Sequence, residues 1–358
     1  MAADQRLRDY AELLVDRCVS VQPGWQVVVS SSPLGAPLVD EVLRAVGRHG
    51  AYGLPRIEIP GLSEIWQKEA PVELLARVAP IEAYAYEHAD CLIAIEAPEN
   101  TRDGSDVPSE RITAVRQARR PLLEPYIGDR KKWVGCQYPT PSLAQDAGMT
   151  LAEFEEFLYG AVLIDWDAAE REMAVIAERF DAASEVRIVG AGTDLTFSLA
   201  GRHGKVSAAG ANMPSGEVFY SPVEDSASGV VTFAEYPACY LGHEAYGVRL
   251  VFEDGRVVES SADRDEEFLH AALAMDDGAA ILGEFGVGGN RGIQRHTKNT
   301  LFDEKIYGTI HLALGHGFPA LGGVNVSALH WDMVKDLRDG GRIECDGEVV
   351  QENGEWRF

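Results

Sequence analysis

The chain has 358 residues, of which 46% are hydrophobic and 25% charged, so it is long enough for two cores and ordinary in composition for a globular protein. Its formal net charge of -25 repels a phosphate backbone and argues against DNA or RNA as a partner. No apolar run approaches the roughly 18 residues of a membrane span, and five scattered cysteines without a C-x-x-C pair argue against a zinc ribbon or disulfide framework and for a reduced, cytoplasmic protein.

The opening segment "MAADQRLRDYAELLVDRCVS" reads as an amphipathic helix; it is charged throughout and has no apolar stretch of the signal-peptide kind. "WQVVVSSSP" is a β-branched strand closed by turn residues, and "APLVDEVLRAVGRHGA" repeats apolar residues at helical spacing up to Gly50. "YGLPRIEI" predicts a second strand, "PVELLARVAPIEAYAYEHA" a helix, and "DCLIAIEAPE" a third strand. "SERITAVRQARRPLLEPYI" predicts another helix and "KKWVGCQYPT" another strand. Strands alternating with helices predict a Rossmann-like parallel α/β sheet. No G-x-G-x-x-G follows the first strand, so a dinucleotide site is not supported. "SSSPLGAP" has the composition of an anion cradle at a helix start, but a plain capped loop explains it better.

Residues 150–183 predict a long helical stretch with one break near Gly160, leading out of the first half. From Glu185 the pattern changes to short alternating segments with Gly turns, in "EVRIVGAGTDLTFSLAGR", "GVVTFAEYPACYLG", "GVRLVFEDGRVVESS" and "GRIECDGEVVQENGEWRF". The expected organisation is an N-terminal α/β domain with a helical connection over residues 1–183. A mixed, antiparallel-rich α+β domain over 184–358 follows it. Only seven of the 32 basic residues are Lys. An acid-rich, Lys-poor surface suits either a salty cytoplasm, where screening tames self-repulsion, or a genome whose base composition favours Arg.

The chemistry is concentrated near the C-terminus. In "SALHWDM" a strand puts Ala328, His330 and Asp332 on one face and Leu329, Trp331 and Met333 on the other, where they can pack on a core. "GTIHLALG" repeats the arrangement, with Thr309, His311 and Ala313 opposite Ile310, Leu312 and Leu314. Side by side, the two strands would gather His311, His330 and Asp332. Two further acids stand out: Glu217 after the Pro-Ser-Gly turn, and Glu284 in an apolar, Gly-rich run where an unpaired carboxylate is costly. Imidazoles with carboxylates suit Zn, Co, Mn or Fe; two imidazoles and three carboxylates make a sensible cage for two divalent ions, and ions about 3.5–4 Å apart can activate a bridging hydroxide for attack on a carbonyl. Each piece alone has a plainer reading. H-x-D on a strand is commonly a satisfied polar pair, Glu217 a turn residue, and Glu284 a salt-bridge partner of Lys305 or Arg291. His243, His296 and His316 read as ordinary surface or loop histidines.

Four segments in order, "MPSGEVFYSP", "GEFGVGGN", "NTLFDEKIYGTIHLALG" and "SALHWDM", together with "GTDLTFSLAGR", resemble the aminopeptidase T / aminopeptidase S family of metallopeptidases. The similarity is dense from about Gly190 to Asp332 and continues to "DGEVV"; over the first half it is one of pattern. The resemblance implies a metalloaminopeptidase, a hydrolase that removes N-terminal residues from peptides with a free N-terminus. It also implies two divalent metals in the C-terminal domain and a homodimer. Residue by residue, it makes Glu217, Glu284, His311, His330 and Asp332 the metal ligands, and Glu284 is the expected proton shuttle. The family has an active-site Tyr seven residues after the first His ligand; here that position is Phe318, so a hydroxyl able to support a developing oxyanion is missing. Tyr307 and Tyr220 stand close to ligands in sequence, and Tyr307 is carried as a catalytic candidate, although core or rim packing is the plainer reading of both. Two alternatives stand beside this one: a mononuclear-iron ring-cleaving dioxygenase on the same scaffold, whose site needs no Glu pair, and a catalytically weakened metal-binding homologue.

Overall fold

The computed structural model describes residues 4–127 and 130–358. The chain divides into two compact units, Met1–Leu163 with Ala209–Pro214, and Ile164–Ala208 with Ser215–Phe358.

In the first unit, Asp4 caps the helix Gln5–Glu12 by accepting from the Arg6 N–H. The sheet runs in the order Tyr52–Ile57, Gln26–Ser31, Cys91–Glu96, Lys132–Gln137 and Asn212–Met213, with every pairing parallel. Val27, Val29, Ile93 and Val134 from the central strands are fully buried, as parallel strands covered on both faces require. The "SSSPLGAP" segment is a capped loop: Ser32 Oγ accepts from Leu34 N at the start of a single 3-10 turn. Residues 71–89, expected as one helix, form two, Val72–Leu75 and Pro80–His88. Pro80 lacks an N–H and holds Ala79 extended, so the helix cannot run through.

The break expected near Gly160 falls later. Gly160 lies inside the helix Leu151–Val162, and the next helix, Trp166–Asp181, starts where Asp165 accepts from Ala168 N. This second helix was grouped on sequence with residues 1–183. Its buried face (Met173, Ile176, Phe180) packs into the core of the second unit, so the units separate ahead of it.

The second unit is built on two antiparallel sheets of eight and five strands. Three of its tight hairpins turn on Asp254-Gly255, Asp346-Gly347 and Asn353-Gly354. Both residues of each pair have positive φ, the geometry that two-residue hairpin turns demand and that Asn, Asp and Gly tolerate. The five-stranded sheet has the order His330–Asp336, Thr309–Gly315, Leu282–Gly288, Glu217–Tyr220, Lys205–Ser207. Ile310, Leu312, Leu314, Leu329, Trp331 and Met333 sink into the core from one of its faces, as the alternation predicts. The opposite face is left for polar residues. Among the described residues, no helix is long and apolar enough to cross a membrane.

Candidate metal centre

Four neighbouring strands of this sheet each bring donors to the same face. Glu217 opens its strand, Glu284 pairs with Ala313, His311 with Gly286, and Ala313 in turn with Asp332. His330 begins the outer strand opposite Gly315. Gly286 makes room for the His311 ring, since a Cβ there would lie 2.1 Å from its Cε1 and Nε2.

The donors form two clusters, Glu217 with Glu304 and His311, and Glu284 with His330 and Asp332, the ligand atoms of each lying within 4.8 Å of one another. Glu284 joins them: its Oε1 is 3.4 Å from His311 Nε2 and its Oε2 is 3.1 Å from His330 Nε2. Glu217 Oε2 is 3.6 Å from His311 Nε2, and Asp332 Oδ2 is 3.6 Å from His330 Nε2. Both imidazoles are oriented from behind. His311 Nδ1 donates to the backbone carbonyl of Glu304 and His330 Nδ1 to that of His316, each at 3.0 Å. A carbonyl can only accept, so both rings carry a proton on Nδ1 and turn Nε2 toward the carboxylates, the arrangement that fixes a metal-ligating histidine. His311 is fully enclosed, whereas the His330 side chain keeps 34% of its surface exposed and marks the open side.

The proton balance reflects crowded acids. Burial pushes the Glu217 carboxyl up to about 7 and that of Asp332 up to about 6. Burial would raise Glu284 too, but hydrogen bonds from His311 and His330 outweigh it and hold this carboxyl down to about 2. Burial works against charge on the two imidazoles, yet the hydrogen bonds to Glu284 and the neighbouring carboxylates raise His311 to about 9 and His330 to about 10. Protons held on the crowded acids and imidazoles offset part of the cluster's negative charge, beside the Lys305 ammonium. Asp332 Oδ1 is buried with no hydrogen-bond partner, a costly state for a carboxylate oxygen that a cation would relieve. The donor set, imidazole nitrogens and carboxylate oxygens with imidazoles locked by backbone carbonyls, therefore fits divalent metal.

All five sequence-predicted ligands converge. Two residues of the centre lie outside the predicted ligand set: Glu304, which the sequence did not single out, and Lys305, read there only as an ion-pair partner for Glu284. Glu304 lies just after the short helix Thr300–Asp303 and adds a fourth carboxylate; Lys305, fully buried, bonds to Glu304 and lies 3.4 Å from Glu217 Oε1. Burial disfavours the Lys305 ammonium, but the two carboxylates outweigh it and hold its pKa raised. The signal available in sequence was the acid-base pair "EK" directly ahead of the His311 strand. The ion pairs expected for Glu284 do not form: Lys305 takes Glu217 and Glu304, and Arg291 takes Glu172.

Tyr307 is not turned into the cluster. Its hydroxyl accepts from Arg291 at 2.6 Å and donates to Glu355 at 3.3 Å, with the Arg291 guanidinium over its ring. Tyr220 is a core residue whose hydroxyl lies 3.0 Å from the Ala177 carbonyl and 2.9 Å from Asp181. Phe318 does reach the centre: its ring sits edge-on to His330 with centroids 5.4 Å apart, and edge-on to Phe219. His296 lies in a loop, as one of its two readings has it, but is largely buried there, 3.1 Å from Asp303 and stacked on Tyr236.

The chain resembles known proteins along nearly its whole length. The pattern of a family described as thermophilic metalloprotease (M29) matches residues 3–356. Aminopeptidase 2 of Geobacillus stearothermophilus is 29% identical over 99% of this chain and 98% of its own. Aminopeptidase AmpS of Bacillus subtilis (strain 168) is 28% identical over 99% of both chains. The solved structure of wild-type AmpT from Thermus thermophilus has the same fold, with a TM-score of 0.85 over 99% of both chains at 23% identity.

Proposed function

The chain belongs to the thermophilic metalloprotease (M29) family, and from this we infer a metal-dependent aminopeptidase that hydrolyses the N-terminal residue from peptides, with its catalytic centre in the second unit. The observation that carries the reading is the convergence of two back-oriented imidazoles and three carboxylates from one sheet face with Glu304 from the turn after Thr300–Asp303, and with Asp332 Oδ1 buried and unpartnered. A mononuclear iron site of two His and one carboxylate would leave the remaining acids without a task, so this donor set favours two divalent ions over the dioxygenase alternative.

We assign Glu217, Glu304 and His311 to one ion and His330 and Asp332 to the other, with Glu284 shared. Divalent ions held there supply a Lewis acid for the scissile carbonyl and lower the pKa of water. The residues do the rest. The Glu304 and His316 carbonyls keep the two Nε2 atoms aimed inward. Glu284, between the clusters, is the carboxylate placed to carry a proton toward the leaving amine. The apolar edge of Phe318 borders His330 and offers no hydroxyl to a developing oxyanion, which lowers turnover relative to a Tyr at that position.

Borderline nitrogen and oxygen donors suit Zn, Co or Mn. We propose a homodimer; the outer strand Tyr52–Ile57 leaves Tyr52, Leu54 and Ile57 exposed, an edge of the kind that pairing with a second copy would cover. The five cysteines are all free, which supports a reducing, cytoplasmic setting. The test is hydrolysis of a panel of aminoacyl p-nitroanilides by chelator-stripped protein, before and after Zn, Co or Mn is restored, at low and high salt. Metal-restored anilide release is expected. Folded, metal-loaded protein that cleaves none of the panel would overturn the aminopeptidase reading.

A further inference from the structure

The two clusters are not electrostatically equivalent. Lys305 has no exposed surface, and its ammonium contacts Glu304 and Glu217, both in the cluster with His311. Among the described residues, Glu284 and Asp332 pair only with the two imidazoles and with no lysine or arginine. Lys305 is held from its backbone as well: its N–H donates to the Phe302 carbonyl at 3.0 Å, and its own carbonyl accepts from Asn290 N at 3.1 Å. Asn290 is itself buried and tied to the Ser215 carbonyl. A long, flexible side chain is therefore fixed in one place, against the loss of rotamer freedom and of hydration that such burial costs. It touches no solvent, so it is placed to act on its carboxylate partners and not on a substrate.

Glu217, Glu304, Glu284 and Asp332 bring four negative charges and Lys305 one positive. The remainder of three lies within one unit of the charge on two divalent ions. Glu304 is thus offset by a resident cation.

We propose that Lys305 is a built-in counter-cation that holds Glu217 and Glu304 together before metal arrives and makes their half of the centre the weaker, more readily exchanged metal position. The proposal rests on the two-ion reading above and adds an order of filling: the Glu284–His330–Asp332 cluster loads first. A like charge a few Å from the incoming ion sets the size of the effect. Even at an effective dielectric of about 20 it separates the two affinities by at least about tenfold.

The experiment is calorimetric titration of chelator-stripped, full-length protein with Mn(II) and separately Zn(II), read together with thermal melts of the metal-free protein. Wild type is expected to bind two ions with affinities at least about tenfold apart, and Asp332→Asn to weaken the tighter one. Lys305→Met should lower the melting temperature of metal-free protein and tighten the weaker site, narrowing the gap; Lys305→Arg should restore wild-type behaviour on both counts. Should Lys305→Met fail to fold, the wild-type and Asp332→Asn titrations still decide. Two ions of equal affinity, or loss of the weaker ion in Asp332→Asn, would overturn the proposal while leaving the two-ion centre standing. No metal uptake by folded wild type would instead overturn the metal centre itself.

Discussion

Gly286 stands directly across the strand ladder from His311, and a methyl group in place of its hydrogen would overlap the imidazole at 2.1 Å. The ring is enclosed and cannot step aside without breaking its 3.0 Å bond to the Glu304 carbonyl. Gly286→Ala is therefore expected to cost about 1–3 kcal/mol, the usual scale for overpacking a core, and to lower the metal content of the Glu217–Glu304–His311 cluster. Thermal melts and metal analysis check both; an unchanged melt with two ions retained would show that the ring has room to move.

Among the described residues, Glu284 is the one carboxylate paired with both imidazoles. Glu284→Gln keeps the shape and removes the charge. Its kcat is expected to fall by at least about 100-fold, the lower scale for general acid–base work. Metal analysis on the same sample separates its two roles: full metal content with low kcat isolates proton transfer, and reduced content isolates ligation. Turnover near wild type would remove Glu284 from both.

Phe318 borders His330 where the resembled family carries Tyr. Phe318→Tyr is expected to raise kcat, by up to about 100-fold if the new hydroxyl reaches a developing oxyanion, with little change in KM. Steady-state kinetics on one good anilide substrate suffice. No gain would mean that residue 318 does not limit turnover.

The raised pKa values of His311 and His330 have a sign that can be read in solution. In metal-free protein these imidazoles contribute stability that is fully present below their unfolded value of about 6.5 and is lost as pH rises through about 9 and 10. Glu217, raised to about 7, acts in the same direction, because above that pH it must carry its charge in a buried place. Metal replaces the imidazole protons, so binding should release protons, and the gain in melting temperature on adding metal should grow from pH 6 to pH 9. A gain that shrinks over this interval would contradict the assignment of these imidazoles as ligands.

The ligands on regular strands were legible because a strand has a period of two. Once Leu329, Trp331 and Met333 are read as core, His330 and Asp332 can only face the other way, and the same holds for His311 between Ile310 and Leu312. Glu304 and Lys305 follow a four-residue helix in a turn, where no periodicity fixes direction, so spacing was silent about them. Tyr307 follows the plainer of its two readings, packing, for the converse reason. Nearness in sequence to His311 says nothing about where a hydroxyl points, and Arg291 and Glu355 claim it. Among the helices, the split at Pro80 was written in the sequence and overridden by the surrounding apolar pattern. Gly160 does not end the helix, which runs to Val162, and the Asp165 cap marks where the next one starts.

The donors enter from strands that close a long circuit of chain: Glu217 and Asp332 are 115 positions apart in sequence. No fragment ending before the His330 strand has the full set, and no local nucleus can assemble it. Closing such a span takes chain entropy that only the finished sheet repays. Tight metal uptake should thus appear among the last events of refolding, after the sheet's backbone amides have become protected from exchange. A metal-sensitive dye added to refolding protein would then serve as a clock for completion of this sheet, with a lag behind the recovery of β structure.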